Sequence, residues 1–173
     1  SVAIHGTREG TVDVTVYGAS SFVARHVLTY LLQVCVSSST AASVPLKVTL
    51  AGRNQDKLQG LVKEFSEKMK NLHILNPSAT GKILWDCFVA DSSDADKLLD
   101  MAKRTKVVLS CAGPYARLGS KVVAACATAG ADYVDITGEV AWASDMRRLY
   151  GAASAKSGSR IISFCGFDSI PSD

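Results

Sequence analysis

The chain has 173 residues, enough for one domain with a real core. Hydrophobic residues make up 47%, which excludes an intrinsically disordered protein, and a net charge of +3 is too small to argue for a nucleic-acid partner. The longest apolar helix candidate, Val23 to Val36, carries Arg25 and His26 and is too short to span a bilayer, and the polar first residues have no signal-peptide core. Five cysteines, Cys35, Cys87, Cys111, Cys126 and Cys165, contain no C-x-x-C pair. They read as buried free thiols of a soluble protein in a reducing, intracellular compartment, with the cytoplasm as the expected location.

Residues 1–12 read as an N-terminal extension and 13–173 as the domain. The apolar run Asp13 to Tyr17 is the first expected strand. A helix from Ser21 to about Cys35 follows, with Val23, Val27, Leu28, Leu31 and Val34 on its apolar face. The Ser-rich run 37–43 reads as a long surface loop. Leu46 to Ala51 is the second strand, and Gln55 to about Asn71 a helix with Leu58, Leu61, Val62 and Phe65 facing inward. The stretch 76–81 is a turn-rich loop. A third strand spans Ile83 to Ala90 and a helix Ala95 to Arg104. Val107 to Cys111 is a continuous apolar run, as a buried parallel strand requires. A small-residue helix covers about Gly119 to Ala129, a fifth strand Tyr133 to Ile136, a helix Val140 to Lys156, and a sixth strand Arg160 to Cys165.

Strands alternating with helices at this spacing imply βαβ units. Six strands and five crossovers predict an α/β fold, a doubly wound parallel six-stranded sheet of Rossmann type, with strand order 3-2-1-4-5-6. Right-handed crossovers bring every turn that follows a strand to one edge of that sheet, where a ligand crevice is expected.

The first such turn is Gly18-Ala19-Ser20-Ser21-Phe22-Val23-Ala24. It matches a glycine-rich dinucleotide fingerprint at its first and last positions, with Ser21 in place of the middle glycine. Backbone N–H groups and a helix N-terminus converge there and favour a phosphate. Gly18 is expected to keep side-chain atoms away from a pyrophosphate, or to be an ordinary turn glycine. Ser20 and Ser21 are candidate hydroxyl donors, and Ser21 equally suits a helix N-cap. After the second strand stands Gly52-Arg53-Asn54. NAD sites usually carry an acid there for the ribose 2′-hydroxyl; Arg53 instead suits a 2′-phosphate, so NADP is expected over NAD, the alternative being a solvated arginine. Asp91, after the third strand, can accept from an adenine amino group or, like Ser92, cap the next helix. Ala112, Gly113, Pro114 and Tyr115 follow the fourth strand, beside the expected position of the nicotinamide ribose. Tyr115 can cover the ring or pack as an ordinary core aromatic. Asp135, inside a strand, is expected to bond to nearby backbone N–H groups or Thr137, and Glu139 to begin a helix.

Competing chemistries lack their residues. Tyr150 is followed four positions later by Ser154, so no Tyr-x-x-x-Lys pair supports a short-chain dehydrogenase or nucleotide-sugar epimerase mechanism. His5, His26 and His73 are isolated and give no metal spacing, and Gly81-Lys82 lacks the upstream glycine of a P-loop.

Several stretches together resemble the saccharopine dehydrogenase-like oxidoreductase family: residues 18–24, Ala51-Gly52-Arg53-Asn54, Ser110-Cys111-Ala112-Gly113-Pro114-Tyr115, Tyr133-Val134-Asp135-Ile136-Thr137-Gly138-Glu139, and Cys165-Gly166-Phe167-Asp168-Ser169-Ile170-Pro171-Ser172-Asp173. The resemblance implies an N-terminal nicotinamide-dinucleotide-binding domain that is followed, in the family, by a larger second domain. This chain then reads as the cofactor half, excised from a longer protein whose missing part holds the small-molecule substrate and the catalytic acid or base. Relatives implied include enoyl reductases of lipid synthesis and eukaryotic members at lipid droplets and mitochondria. A homodimer of the full-length protein is a further expectation. The alternative reading, motivated by Ser21, is a non-catalytic dinucleotide fold kept as a scaffold for lipid or a protein partner.

Overall fold

Alternation of apolar strands with amphipathic helices produces six strands: β1 (Val12–Tyr17), β2 (Leu46–Gly52), β3 (Ile83–Val89), β4 (Thr105–Ser110), β5 (Asp132–Asp135) and β6 (Ile161–Ile162). The helices are α1 (Phe22–Ser37), α2 (Gln55–Leu75), α3 (Ala95–Lys103), α4 (Tyr115–Leu118), α5 (Ser120–Ala129) and α6 (Val140–Ser157). The structure is a computed structural model that describes residues 11–37 and 44–166. Residues 1–10 of the expected extension, 38–43 of the Ser-rich loop and 167–173 of the last motif lie outside the described residues.

All strand pairs are parallel, and the sheet order is β3-β2-β1-β4-β5-β6, the doubly wound arrangement expected from the sequence. The chain winds from β1 out to β3, then crosses back to lay β4 on the other side of β1. The turns after β1 and β4 therefore diverge around a crevice at the sheet's C-terminal edge.

Period-2 alternation feeds two cores. Val16, Val48, Leu50 and Ile83 pack under α1 and α2 against Leu28, Leu32, Leu58 and Phe65. Tyr17, Ala51 and Val108 face the opposite layer, with Leu98 and Met101 of α3, Val122 and Cys126 of α5, and Trp142 and Met146 of α6. Each fully buried large side chain contributes about 1.5–3 kcal/mol relative to exposure.

Four local expectations are corrected. The buried line of α1 is Ala24, Leu28, Leu32 and Val36, while Val23 and Val34 are exposed, because the helix meets α2 and the sheet along a line rotated from the most apolar one. β1 begins at Val12, whose N–H donates to Arg104 O (2.8 Å). α2 runs to Leu75: the His73 ring nitrogens lie 2.8 Å from Met69 O and 2.9 Å from Gly81 O, and Asn76 N donates to Leu72 O. β6 is shorter than expected because Phe164 takes a positive φ of 64°, which takes the backbone out of extended geometry. Cys165 N donates to Asp135 O (2.8 Å).

Candidate functional site

The turn after β1 is held by the neighbouring strand end: the N–H groups of Gly18 and Ala19 both donate to Ala51 O, at 2.9 and 3.1 Å. Gly18 has φ +75°, a conformation that L side chains rarely adopt. Ser21 Oγ accepts from Ala24 N (3.2 Å) and so starts α1 as its N-cap. Ala19 is fully buried beneath the turn, whereas Phe22 and Val23 stand exposed on the first turn of α1.

Around this turn lies a cleft of about 300 Å³, formed by four strand ends. Tyr17, Gly18, Ser20 and Ser21 end or follow β1; Gly52 and Arg53 end and follow β2; Asp91 and Ser92 follow β3; Cys111, Ala112 and Gly113 follow β4, with Leu118 of α4 closing one side. Seven of the residues singled out from sequence thus share one cavity: Gly18, Ser20, Ser21, Arg53, Asp91, Ala112 and Gly113. Asn54 is outside it, and its Oδ1 accepts from Lys57 N (2.9 Å) as the cap of α2. Asp91 does not cap α3; Asp94 does, accepting from Lys97 N (3.0 Å). Asp91 Oδ1 instead accepts from the N–H (2.8 Å) and hydroxyl (2.7 Å) of Ser93. Those bonds, aided by the charges of Arg53 and Lys121, hold its carboxyl below the usual aspartate value.

Groups on the cleft floor are neutral. Burial pushes the Cys111 thiol up to about 11, so it is neither a nucleophile nor a base near neutral pH. Burial, reinforced by the Asp91 charge and opposed by a Ser92 hydrogen bond, raises Tyr17 to about 12.

The loop after β4 is tied down at both ends. Cys111 N donates to Tyr17 O (2.8 Å), continuing the β1–β4 ladder. After the cis Gly113–Pro114 peptide the chain turns into α4. Tyr115 packs inward: its ring lies 5.6 Å from that of Trp142 and its hydroxyl donates to Ser110 O (3.0 Å). The packing alternative for Tyr115 is the one realised, and its phenol does not line the cleft. Pro114 is exposed at the start of α4, also outside the cleft lining.

A family pattern, described as the saccharopine dehydrogenase NADP binding domain, matches residues 14–161. The chain belongs to this family. The cofactor of these NADP-binding domains is NADP. The chain is 40% identical over 165 residues to a trans-acting enoyl reductase of Mycobacterium tuberculosis, covering 95% of this chain and 34% of that protein. It is 36% identical over 163 residues to a lipid droplet localized protein of Caenorhabditis elegans, covering 93% of this chain and 34% of the relative. The NADP-binding domain thus spans about a third of the length of the curated relatives it matches. Among solved structures, saccharopine dehydrogenase (L-Glu forming) from Saccharomyces cerevisiae shares the fold, with a TM-score of 0.59 and 18% identity over 91% of this chain and 28% of that one. Among the described residues, no helix is long and apolar enough to cross a membrane.

One residue of this NADP-binding domain has a role that local sequence did not signal. Glu139 precedes α6, yet its side chain makes no cap bond there. Its carboxylate crosses to α4, where Oε1 accepts from Tyr115 N (2.7 Å) and Oε2 from Ala116 N (2.9 Å). Asp135 forms the expected local network: Oδ1 accepts from Thr137 N (3.1 Å) and Oδ2 from Ser163 Oγ (3.2 Å).

Proposed function

We propose that the chain binds NADP(H) in the cleft along the ends of β1 to β4. It serves there as the coenzyme half of an oxidoreductase, whose substrate and catalytic acid or base are held by residues outside this chain. The observation that carries the reading is Arg53 in the cleft, at the strand end where an NAD site presents a carboxylate. A guanidinium there pairs with a 2′-phosphate and stacks on adenine. The donor set around it fits the rest of a dinucleotide. The start of α1 offers N–H groups and a positive dipole end to a pyrophosphate, and Ser20 and Ser21 bring hydroxyls to the same wall. Gly18, with no side chain, keeps that wall open.

Bound coenzyme supplies a hydride; the chain's residues bind and orient it. The cleft floor contributes no charged nucleophile, since Cys111 and Tyr17 are held protonated. The enoyl reductase relatives support reduction of a polarised carbon–carbon double bond as the reaction class. The relative named for lipid droplets supports a lipid-linked substrate or location.

Calorimetric titration of the folded chain with NADPH and NADH tests the reading. NADPH is expected to bind more tightly. Binding of neither removes the reading, and tighter NADH binding removes the role given to Arg53. The second reading, a non-catalytic scaffold, is favoured by one observation: a serine side chain, whose Oγ caps α1, occupies the position where a fingerprint glycine usually stands.

A further inference from the structure

We propose that Glu139 is a positioning residue for the nicotinamide half of the coenzyme. It acts by pinning the loop that carries Ala112 and Gly113. This inference rests on the dinucleotide reading of the cleft.

The doubly wound sheet divides a dinucleotide between two halves. Arg53 assigns the adenosine half to the β1–β3 side, which leaves the turn after β4 to the nicotinamide half. Ala112 and Gly113 are the cleft-lining part of that turn. The next residues are Tyr115 and Ala116, and their N–H groups are the ones the Glu139 carboxylate binds, one to each oxygen. A charged acceptor with both oxygens engaged fixes orientation as well as distance. Pro114, which precedes α4, supplies no side-chain cap of its own, so the Glu139 side chain, 24 residues away, does that work.

Glu139 is itself held. Its N–H donates to Thr137 Oγ1 (3.0 Å), and Thr137 N donates to the buried Asp135. Asp135 is anchored in turn from the far side, where Ser163 Oγ reaches Oδ2 and Cys165 N reaches its carbonyl. A continuous line of bonds therefore runs from the exit of β6, through the end of β5, to the loop after β4. At the other end of that loop Cys111 N donates to Tyr17 O (2.8 Å), and Ala112 stands so close to Gly18 that no Cβ would fit there. The loop is thus clamped between the phosphate turn and Glu139, and release of one clamp shifts the nicotinamide wall while the adenosine side keeps its own supports.

The test compares NADPH with adenosine 2′,5′-bisphosphate, which keeps the adenosine end and lacks the nicotinamide half. In Glu139→Gln, one N–H keeps its acceptor while the other faces an amide NH₂. NADPH is expected to bind up to about tenfold more weakly, because the freed loop must be re-ordered on binding, with one charge-assisted hydrogen bond as the upper limit of that cost and the bisphosphate within about twofold of the wild-type chain. Equal losses for both ligands mean a merely structural role and overturn the proposal, as does unchanged NADPH binding. A folded wild-type chain that binds neither ligand overturns the cleft reading itself, and this inference with it. Should Glu139→Gln fail to fold, Thr137→Val carries the same comparison. There a selective loss for NADPH, restored in Thr137→Ser, supports the line of bonds, and an unselective loss sinks it.

Discussion

Gly18 lies directly against Ala112: a Cβ on Gly18 would sit 2.8 Å from both the Cβ and the backbone N of Ala112. From sequence, the reason for glycine at this position is room for a pyrophosphate or the tight turn itself. In the fold, the nearest obstacle is the loop after β4, and the left-handed φ is a second reason. Gly18→Ala is expected to cost roughly 2–4 kcal/mol, or about 5–15 °C in Tm for a domain of this size. Adding Ala112→Gly should recover only part of the loss, because the backbone N and Cα of Ala112 and the positive φ remain. Urea unfolding of the single and double variants checks this.

Arg53 is exposed at the rim, so its removal should leave the fold intact. Arg53→Ala is expected to weaken NADPH roughly tenfold or more, the value of a charge-assisted phosphate contact, while NADH changes by less than about twofold. Parallel fluorescence titrations read the ratio, and an equal loss for both coenzymes contradicts the assignment.

Ser21 separates the two functional readings. Ser21→Ala removes the cap and should cost about 1 kcal/mol of stability, whereas Ser21→Gly should cost only a few tenths. NADPH affinity of Ser21→Gly is expected to stay within about threefold of the wild-type chain, since glycine only widens the approach to the phosphates. A gain far beyond that marks the native site as impaired and favours the scaffold.

Asp13 supplies an acid-labile tie at the opposite edge of the sheet. Its carboxylate accepts from Lys47 N (2.8 Å) and Lys106 Nζ (2.6 Å), joining β1 to β2 and β4. Partial burial raises its pKa, but the bonds and charges of Lys106 and Lys47 outweigh that and hold it below 3.8. A lowered folded value means stabilisation that is complete above the unfolded pKa and lost as pH falls through the folded one. Asp13→Asn should therefore be about 0.5–1 kcal/mol less stable at neutral pH, with the gap closing as the pH is taken into the acid range. Thermal melts across that range measure it.

Cys111 lies in the cleft with its thiol raised from 9.0 to about 11 by burial. At mildly alkaline pH its thiolate fraction is about a hundredfold below that of an ordinary thiol, and even with the greater nucleophilicity of a more basic thiolate, alkylation by iodoacetamide should be slower by roughly tenfold or more. Rapid labelling at Cys111, located by peptide mass spectrometry, contradicts the neutral floor described above.

Much of the architecture was legible because it follows from local rules. The runs ending at Tyr17, Gly52, Val89 and Ser110 are strands because apolar β-formers stop at turn residues. Right-handed crossovers then leave little choice of sheet order. Gly18, Arg53, Asp91 and Gly113 could be collected into one cleft from sequence for the same reason, since each stands within three residues of the end of such a run.

What sequence could not supply depends on pairs that meet only after folding. Glu139 sits at the start of α6 by every local sign, and its partners, Tyr115 and Ala116, come within reach only because β4 and β5 are neighbours. The buried line of α1 departs from its most apolar stripe because the orientation of α1 against α2 and the sheet decides which side chains are covered. Tyr115 had two open roles, and the presence of Trp142 and the Ser110 carbonyl chose between them. The sequence alone determined the order of elements and the edge on which the turns gather, because hydrophobic period and chain chirality are carried by neighbouring residues. The tertiary structure alone decided which turn residues face the cleft, which are spent on capping or packing, and that Gly18 must yield space to Ala112. Those outcomes rest on steric contacts and hydrogen bonds between residues far apart in the chain.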